Sequence, residues 1–283
     1  MKFKEATKLS LNLLIFSLLL LIYGIIIIFS LRDMVSFSAF HNFTEKAEMR
    51  NLLLASTSTL HGQEYLEYLI PEIKSHFEGC TEIIFIPYAR AGGISHDEYT
   101  SLARSAFEKA GLGLKGMHEF SDPASAIAIA DGFFTGGGNT FLLVRELYRN
   151  EIIAPLKKAI SKGIPYLGTS AGTNIAGLDM KTTNDMPIVY PASFKTLGLI
   201  PFNINPHYLD PDPNSTHKGE TRETRIKEFH KFNTQPVVGL REGSWLEVKD
   251  DKVTLKGELP ARIFKSGKAP FEVETGSSLD DLN

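Results

Sequence analysis

From position 51 onward, apolar residues come in short runs that break on glycine, proline or small polar residues. Asn51-Leu52-Leu53-Leu54-Ala55, Glu82-Ile83-Ile84-Phe85-Ile86 and the run Ile164-Pro165-Tyr166-Leu167 read as buried strands, with shorter ones at Gly113 to Met117 and Ala130 to Thr135. Between them the apolar spacing turns helical over Gln63 to Phe77, His96 to Ala110, Phe141 to Tyr148 and Pro155 to Ser161. Gly111 closes the second of these helices, and Asp122-Pro123 supplies the cap and first turn of a further short one. Strands alternating with helices of this length predict a three-layer α/β/α domain with a mostly parallel sheet. Its functional residues belong in loops at the carboxyl ends of the strands.

Beyond Ala176 the pattern is less regular. Thr182 to Val189 reads as a polar loop entering a strand, Leu199 to Ile204 as a strand ending in Asn205-Pro206-His207, and Thr221 to Phe232 as a charged amphipathic helix. Pro236 to Leu240, Trp245 to Val248, Lys252 to Leu255 and Ala261 to Phe264 predict short antiparallel strands at the sheet edge. This divides the chain into a domain over 49–270 and a polar, disordered tail over 271–283.

Upstream, Leu9 to Leu31 carries no charge and is long enough to cross a bilayer as a helix. Lys2, Lys4 and Lys8 outweigh Glu5, which keeps the amino terminus in the cytoplasm and places the domain on the periplasmic or extracellular side. Residues 1–35 are therefore expected to be a membrane anchor, with a cleaved signal segment as the rival, and 36–48 a linker. A start at Met49 would instead leave the domain cytoplasmic. The formal net charge of −3 removes the electrostatic case for nucleic acid. With Cys80 the single cysteine among 283 residues, no intrachain disulfide or multi-cysteine metal site can be built.

The candidate chemistry begins at Gly168-Thr169-Ser170-Ala171-Gly172, where a buried strand runs into small helix-forming residues. That is how a strand looks when it turns sharply into a helix with a nucleophilic serine at the bend. A side chain at either glycine would collide with the neighbouring strand or helix. A serine hydroxyl needs a base and usually a carboxylate behind it. His207 suits the base, because the proline in Asn205-Pro206-His207 fixes its loop, whereas His217 lies in a polar loop better suited to substrate contact. Asp185 and Glu242, both acids at strand ends, compete for the third place. Gly136-Gly137-Gly138 follows a buried strand and, with the N–H of Ala171, can supply oxyanion donors. Gly-Gly-Gly-Asn-Thr matches neither dinucleotide nor P-loop patterns.

These segments, together with Thr182 to Val189, Asn203 to His207, His217-Lys218-Gly219-Glu220-Thr221-Arg222 and Glu242-Gly243-Ser244-Trp245, resemble in order the motifs of the dipeptidase E (α-aspartyl dipeptidase) family of serine peptidases. The resemblance runs from about Met49 to about Phe264. It implies a class I glutamine-amidotransferase-like, flavodoxin-like fold and an exopeptidase that cleaves Asp-Xaa dipeptides without metal or cofactor. It makes Ser170 the nucleophile, His207 the base, Asp185 the acid with Glu242 as runner-up, and Gly138 and Ala171 the oxyanion donors. Arg222 becomes the reader of the aspartyl carboxylate, helped by His217 or Lys218. The alternatives are a hydrolase of β-aspartyl polymers such as cyanophycin, and a membrane-tethered acidic-peptide binder without turnover. The chain departs from the family pattern at Thr169, where a tryptophan is usual. Oligomeric state has no signature in the sequence.

Overall fold

The structure, a computed structural model, describes residues 49–282 apart from 213, 215, 217 and 218. Five strands, β1 (Asn51–Ala55), β2 (Glu82–Ile86), β3 (Gly113–Gly116), β4 (Gly132–Thr135) and β5 (Tyr166–Thr169), pair in parallel in the order β3-β2-β4-β5-β1. Their continuous apolar runs follow from burial on both faces. Leu52, Leu54, Ile84, Ile86, Phe133 and Tyr166 join one core cluster, while the alternating Leu53, Ala55, Ile83, Phe85, Phe134 and Leu167 join another.

Helices α1 (Ile70–His76) and α2 (His96–Lys109) cover the second face through Ile73, Ala103 and Phe107. The first face is covered by α3 (Pro123–Ile129), α4 (Thr140–Arg149) and α5 (Ile153–Ile160), through residues such as Ala126, Leu143, Leu147 and Leu156. Local chemistry starts these helices where the sequence suggests. Ser95 and Glu98 form a reciprocal capping box for α2, and the Asp122 carboxylate accepts from Ala124 and Ser125 N–H at the start of α3. The predicted three-layer arrangement is thus the observed one.

The rest of the chain corrects several expectations. Of the four strands placed antiparallel at the sheet edge, only β8 (Ser244–Lys249) and β9 (Lys252–Gly257) take that place, with β8 pairing antiparallel to β1. The other two, β7 (Val237–Leu240) and β10 (Ala261–Phe264), join β6 (Asn203–Pro206) and β11 (Phe271–Val273) in a separate sheet of order β11-β10-β7-β6. Gln63 to Phe77 is not one helix. A single tight turn covers Glu67–Leu69 and the regular helix begins only at Ile70, because Pro71 in its first turn cannot hydrogen-bond to a preceding turn. Thr182 to Val189 contains no strand. It is held to β6 by side chains instead of a ladder, with Thr182 Oγ1 donating to Ile204 O at 2.9 Å and Asn184 Nδ2 to Pro206 O at 2.7 Å.

The segment 271–283, expected to be disordered, is packed through residue 282. Leu279 and Leu282 are buried, and Val253 N–H donates to Asp280 Oδ1 at 2.8 Å. Two apolar residues in a polar run suffice to anchor it. The proposed anchor at 1–35 and the linker at 36–48 lie outside the described residues. Among the described residues no helix is long and apolar enough to cross a membrane. The transmembrane reading finds no spanning helix among the described residues, and the membrane-anchored location that went with it is withdrawn.

Candidate active site

The carboxyl ends of β1, β4 and β5 lie side by side, so that Ser56, the Gly136 to Gly138 loop and Ser170 converge. Ser170 sits between β5 and the one-turn helix α6 (Ala171–Asn174) at φ 54, ψ −110, a region L-residues avoid at a cost of roughly 1–3 kcal/mol. The surrounding bonds hold it there. Ser170 N–H donates to Ala55 O at 3.1 Å, and Thr173 Oγ1 lies 2.6 Å from Ala55 O and 2.8 Å from Gly168 O. Both flanking glycines are required by close approach. A Cβ at Gly168 would stand 2.6 Å from Gly172 O, and one at Gly172 would stand 2.1 Å from Thr135 O.

His207 leaves the end of β6 with its own backbone at φ 52. Its Nε2 is 2.8 Å from Ser170 Oγ, and its Nδ1 is 2.6 Å from Glu242 Oε1. With Nδ1–H donated to the carboxylate, Nε2 is the acceptor for the serine proton. Both ring and carboxylate are partly open to solvent, at 35% and 47% side-chain exposure. The bend at His207 is fixed by a residue that the sequence reading missed. Ser56, fully buried at the end of β1, accepts His207 N–H at 2.8 Å and donates to Leu240 O at 2.8 Å. A serine immediately after a buried strand was the available signal. Glu242 lies near Tyr68, whose hydroxyl donates to Thr57 O at 2.6 Å. Burial first, and the Glu242 charge second, push the Tyr68 phenol above its ordinary pKa.

Asp185 does not reach His207, which corrects the expectation that it orients the imidazole. Its Oδ2 instead accepts the N–H of Thr140, the first residue of α4, at 2.7 Å and the hydroxyl of Thr183 at 3.0 Å. The start of a helix attracts a carboxylate through its unpaired N–H groups and dipole, and that attraction holds Asp185 at the first residue of α4. Asn205 Nδ2 bonds Thr182 O and Asn184 Oδ1, both at 2.8 Å, so the Asp185 loop and the strand carrying His207 are clamped together. Ser170, His207, Asp185, Thr183 and Asn174 line one small, open cleft.

The three glycines pack tightly for three reasons. A Cβ at Gly136 would meet Tyr99 Oη at 2.3 Å, one at Gly137 would meet Ser170 Cβ at 2.9 Å, and one at Gly138 would meet Ala89 O at 2.3 Å. Gly138 also has φ 142. Neither Gly138 nor Ala171 donates its N–H to any group among the described residues. Arg222 opens α7 (Arg222–Phe229), half-buried and close enough to Asp185 to feel its charge. Burial and Arg225 pull the Arg222 pKa down, and Asp185 opposes that shift. His217 and Lys218 lie outside the described residues.

The sequence profile described as Peptidase family S51 matches residues 52–256. The chain belongs to peptidase family S51. Its S51 relatives include "Peptidase E" of Streptomyces coelicolor, 52% identical over 232 residues that cover 82% of this chain and 94% of the relative. A second, the "Probable alpha-aspartyl dipeptidase" of Drosophila melanogaster, is 45% identical over 78% of this chain and 92% of its own. The crystal structure of a peptidase from an acI-B1 actinobacterium superimposes with a TM-score of 0.60, covering 82% of this chain and 98% of that one. At 20% identity that likeness bears on the fold alone. The S51 match begins at Leu52, after the segment from which membrane anchoring was read. Thr169, the departure from the family pattern, is fully buried in β5, behind the serine instead of in the cleft.

Proposed function

We infer that this chain is a serine dipeptidase that hydrolyses dipeptides with an amino-terminal aspartate. The observation that carries the reading is the contact of Ser170 Oγ with His207 Nε2 at 2.8 Å, backed by Glu242 at 2.6 Å from Nδ1. The names of relatives at 52% and 45% identity support the same class. They do not favour the β-aspartyl polymer or the non-catalytic binding alternatives.

In the proposed mechanism His207 Nε2 takes the Ser170 proton as Oγ attacks the aspartyl carbonyl carbon. The carbonyl π pair moves to oxygen, where the N–H groups of Gly138 and Ala171 stabilise it. Collapse of this intermediate breaks the C–N bond. The imidazolium returns its proton to the leaving nitrogen, and the second amino acid departs with a free amine. A water, deprotonated by the same nitrogen, then attacks the aspartyl ester and releases aspartate and Ser170. Glu242, not Asp185, holds the Nδ1 proton and stabilises the imidazolium in both halves. The Arg222 fork pairs with the substrate's side-chain carboxylate, with His217 and Lys218 as helpers.

The test is hydrolysis of Asp-Leu, with β-Asp-Arg as the contrasting substrate, by the wild-type and Ser170→Ala proteins. The wild type cleaves Asp-Leu, and the variant folds but loses on the order of 10⁴-fold or more in turnover. A fluorophosphonate labels the wild type at Ser170 only. Substantial Asp-Leu cleavage by Ser170→Ala would sink the nucleophile assignment, and preference for β-Asp-Arg would sink the substrate class.

A further inference from the structure

With Glu242 bonded to His207, Asp185 is left without the role its position in the sequence suggested, yet it lines the same cleft as Ser170. Both of its side-chain hydrogen bonds fall on Oδ2. Among the described residues no group bonds Oδ1. The carboxylate is aimed by a helix start and a hydroxyl, with one oxygen left over for a ligand.

Acyl transfer brings the scissile carbonyl carbon to within about 3.5 Å of the attacking oxygen. In an amino-terminal residue the α-nitrogen is two bonds from that carbon, about 2.5 Å away by standard backbone dimensions. A free amino terminus therefore sits within roughly 6 Å of Ser170 Oγ whenever the bond is poised for attack. There it carries a positive charge that the cleft must satisfy, because an unpaired ammonium taken out of water is costly. Two acids are near enough. Glu242 is on the far side of the imidazole, engaged with Nδ1, so Asp185 remains. Arg222 is within electrostatic reach of Asp185 but lines the neighbouring hollow with Asp210, Thr221 and Arg225, so the positive group lies beyond the cleft that holds the negative one.

We propose that Asp185 is the receptor for the substrate's α-ammonium, with Oδ1 accepting the charged N–H and Oδ2 anchored to Thr140 and Thr183. This inference rests on the dipeptidase reading and deepens it. Asp185 then makes the enzyme an exopeptidase, because a peptide extended at that nitrogen offers a neutral amide to a carboxylate held ready for a cation.

The experiment compares Asp-Leu with 3-carboxypropanoyl-leucine, which is the same molecule with hydrogen in place of the ammonium. In the wild type kcat/KM for Asp-Leu exceeds that for the analogue by about 10- to 100-fold, the span of one charge-assisted hydrogen bond. In Asp185→Asn that ratio collapses toward one, while fluorophosphonate labelling of Ser170 reports that the relay is intact. A substitution that merely loosened the loop would lower both substrates together and leave the ratio unchanged, which overturns the proposal. A wild type with no preference for the ammonium overturns it without any variant. A wild type that cleaves neither substrate and takes no label overturns the dipeptidase reading itself, and the two failures are thereby told apart.

Discussion

The guanidinium of Arg241 forks onto the carboxylate of Asp210, with Nε 2.8 Å from Oδ2 and Nη2 2.8 Å from Oδ1. Asp210 follows His207 by three residues and Arg241 immediately precedes Glu242, so this fork sets the separation of the two loops that carry the imidazole and its acid. Glu272 and Pro260 O hold the same guanidinium from the other side. Arg241 holds the Asp210 carboxyl below its ordinary pKa through that hydrogen bond.

Replacing Arg241 with lysine keeps the charge and removes the planar fork. We expect kcat for Asp-Leu to fall about 10-fold with KM little changed, because binding groups are untouched while the relay slackens. Steady-state kinetics measure this directly. An unchanged kcat would mean that the neighbouring bonds fix the loops unaided.

Glu242→Gln retains the shape of the third relay member and removes its charge. Turnover is expected to fall on the order of 10²-fold or more, since an amide cannot stabilise the imidazolium and can favour the wrong tautomer. Labelling by a fluorophosphonate should slow in parallel. Full activity in this variant would return the role to another acid.

Ser56→Ala leaves the His207 N–H without its acceptor inside a partly buried turn. An unsatisfied buried donor costs about 1–3 kcal/mol, so the variant should melt at lower temperature and also lose turnover. A melting shift with unchanged kcat would show that the bend at His207 is set by other contacts.

His76 titrates far from the site. It is buried beside Phe77 with Nε2 3.2 Å from Tyr166 O, and burial first, then Lys249, hold its pKa down to about 3. Unfolded, the same imidazole titrates near 6.5. Between those values the unfolded chain binds a proton that the folded chain does not, so folding stability from this group falls as pH drops from about 6.5 toward 3. The slope contributed is on the order of 1.4 kcal/mol per pH unit. Denaturant melts of wild type and His76→Gln across that range should converge toward low pH. Parallel curves would count against it.

The parallel sheet was legible because Leu52 to Ala55 and Ile83 to Ile86 are apolar at every position, a pattern that only a doubly covered strand requires. The elbow was legible for a similar reason, as Gly168 and Gly172 mark close approaches that the structure places at Gly172 O and at Thr135 O. The choice between Asp185 and Glu242 was not, because both are acids in loops after strands and only tertiary placement sorts them. Thr140 N–H attracts one and His207 Nδ1 receives the other. The second sheet was hidden for a related reason. Strand β7 has the same short apolar pattern as an edge strand, and its parallel partner β6 lies some thirty residues earlier across a helix.

The relay is divided between the two sheets. Ser170 belongs to the seven-stranded sheet, His207 to the four-stranded one, and Glu242 to the turn that passes from one to the other. A slight sliding of the sheets would separate the three groups while each sheet kept its own ladder of bonds. Hydrolytic competence is in that sense a gauge of final assembly. It should vanish at denaturant concentrations too low to alter the circular dichroism, and during folding it would switch on last, when no loose strand of the enzyme's own chain remains to enter the cleft.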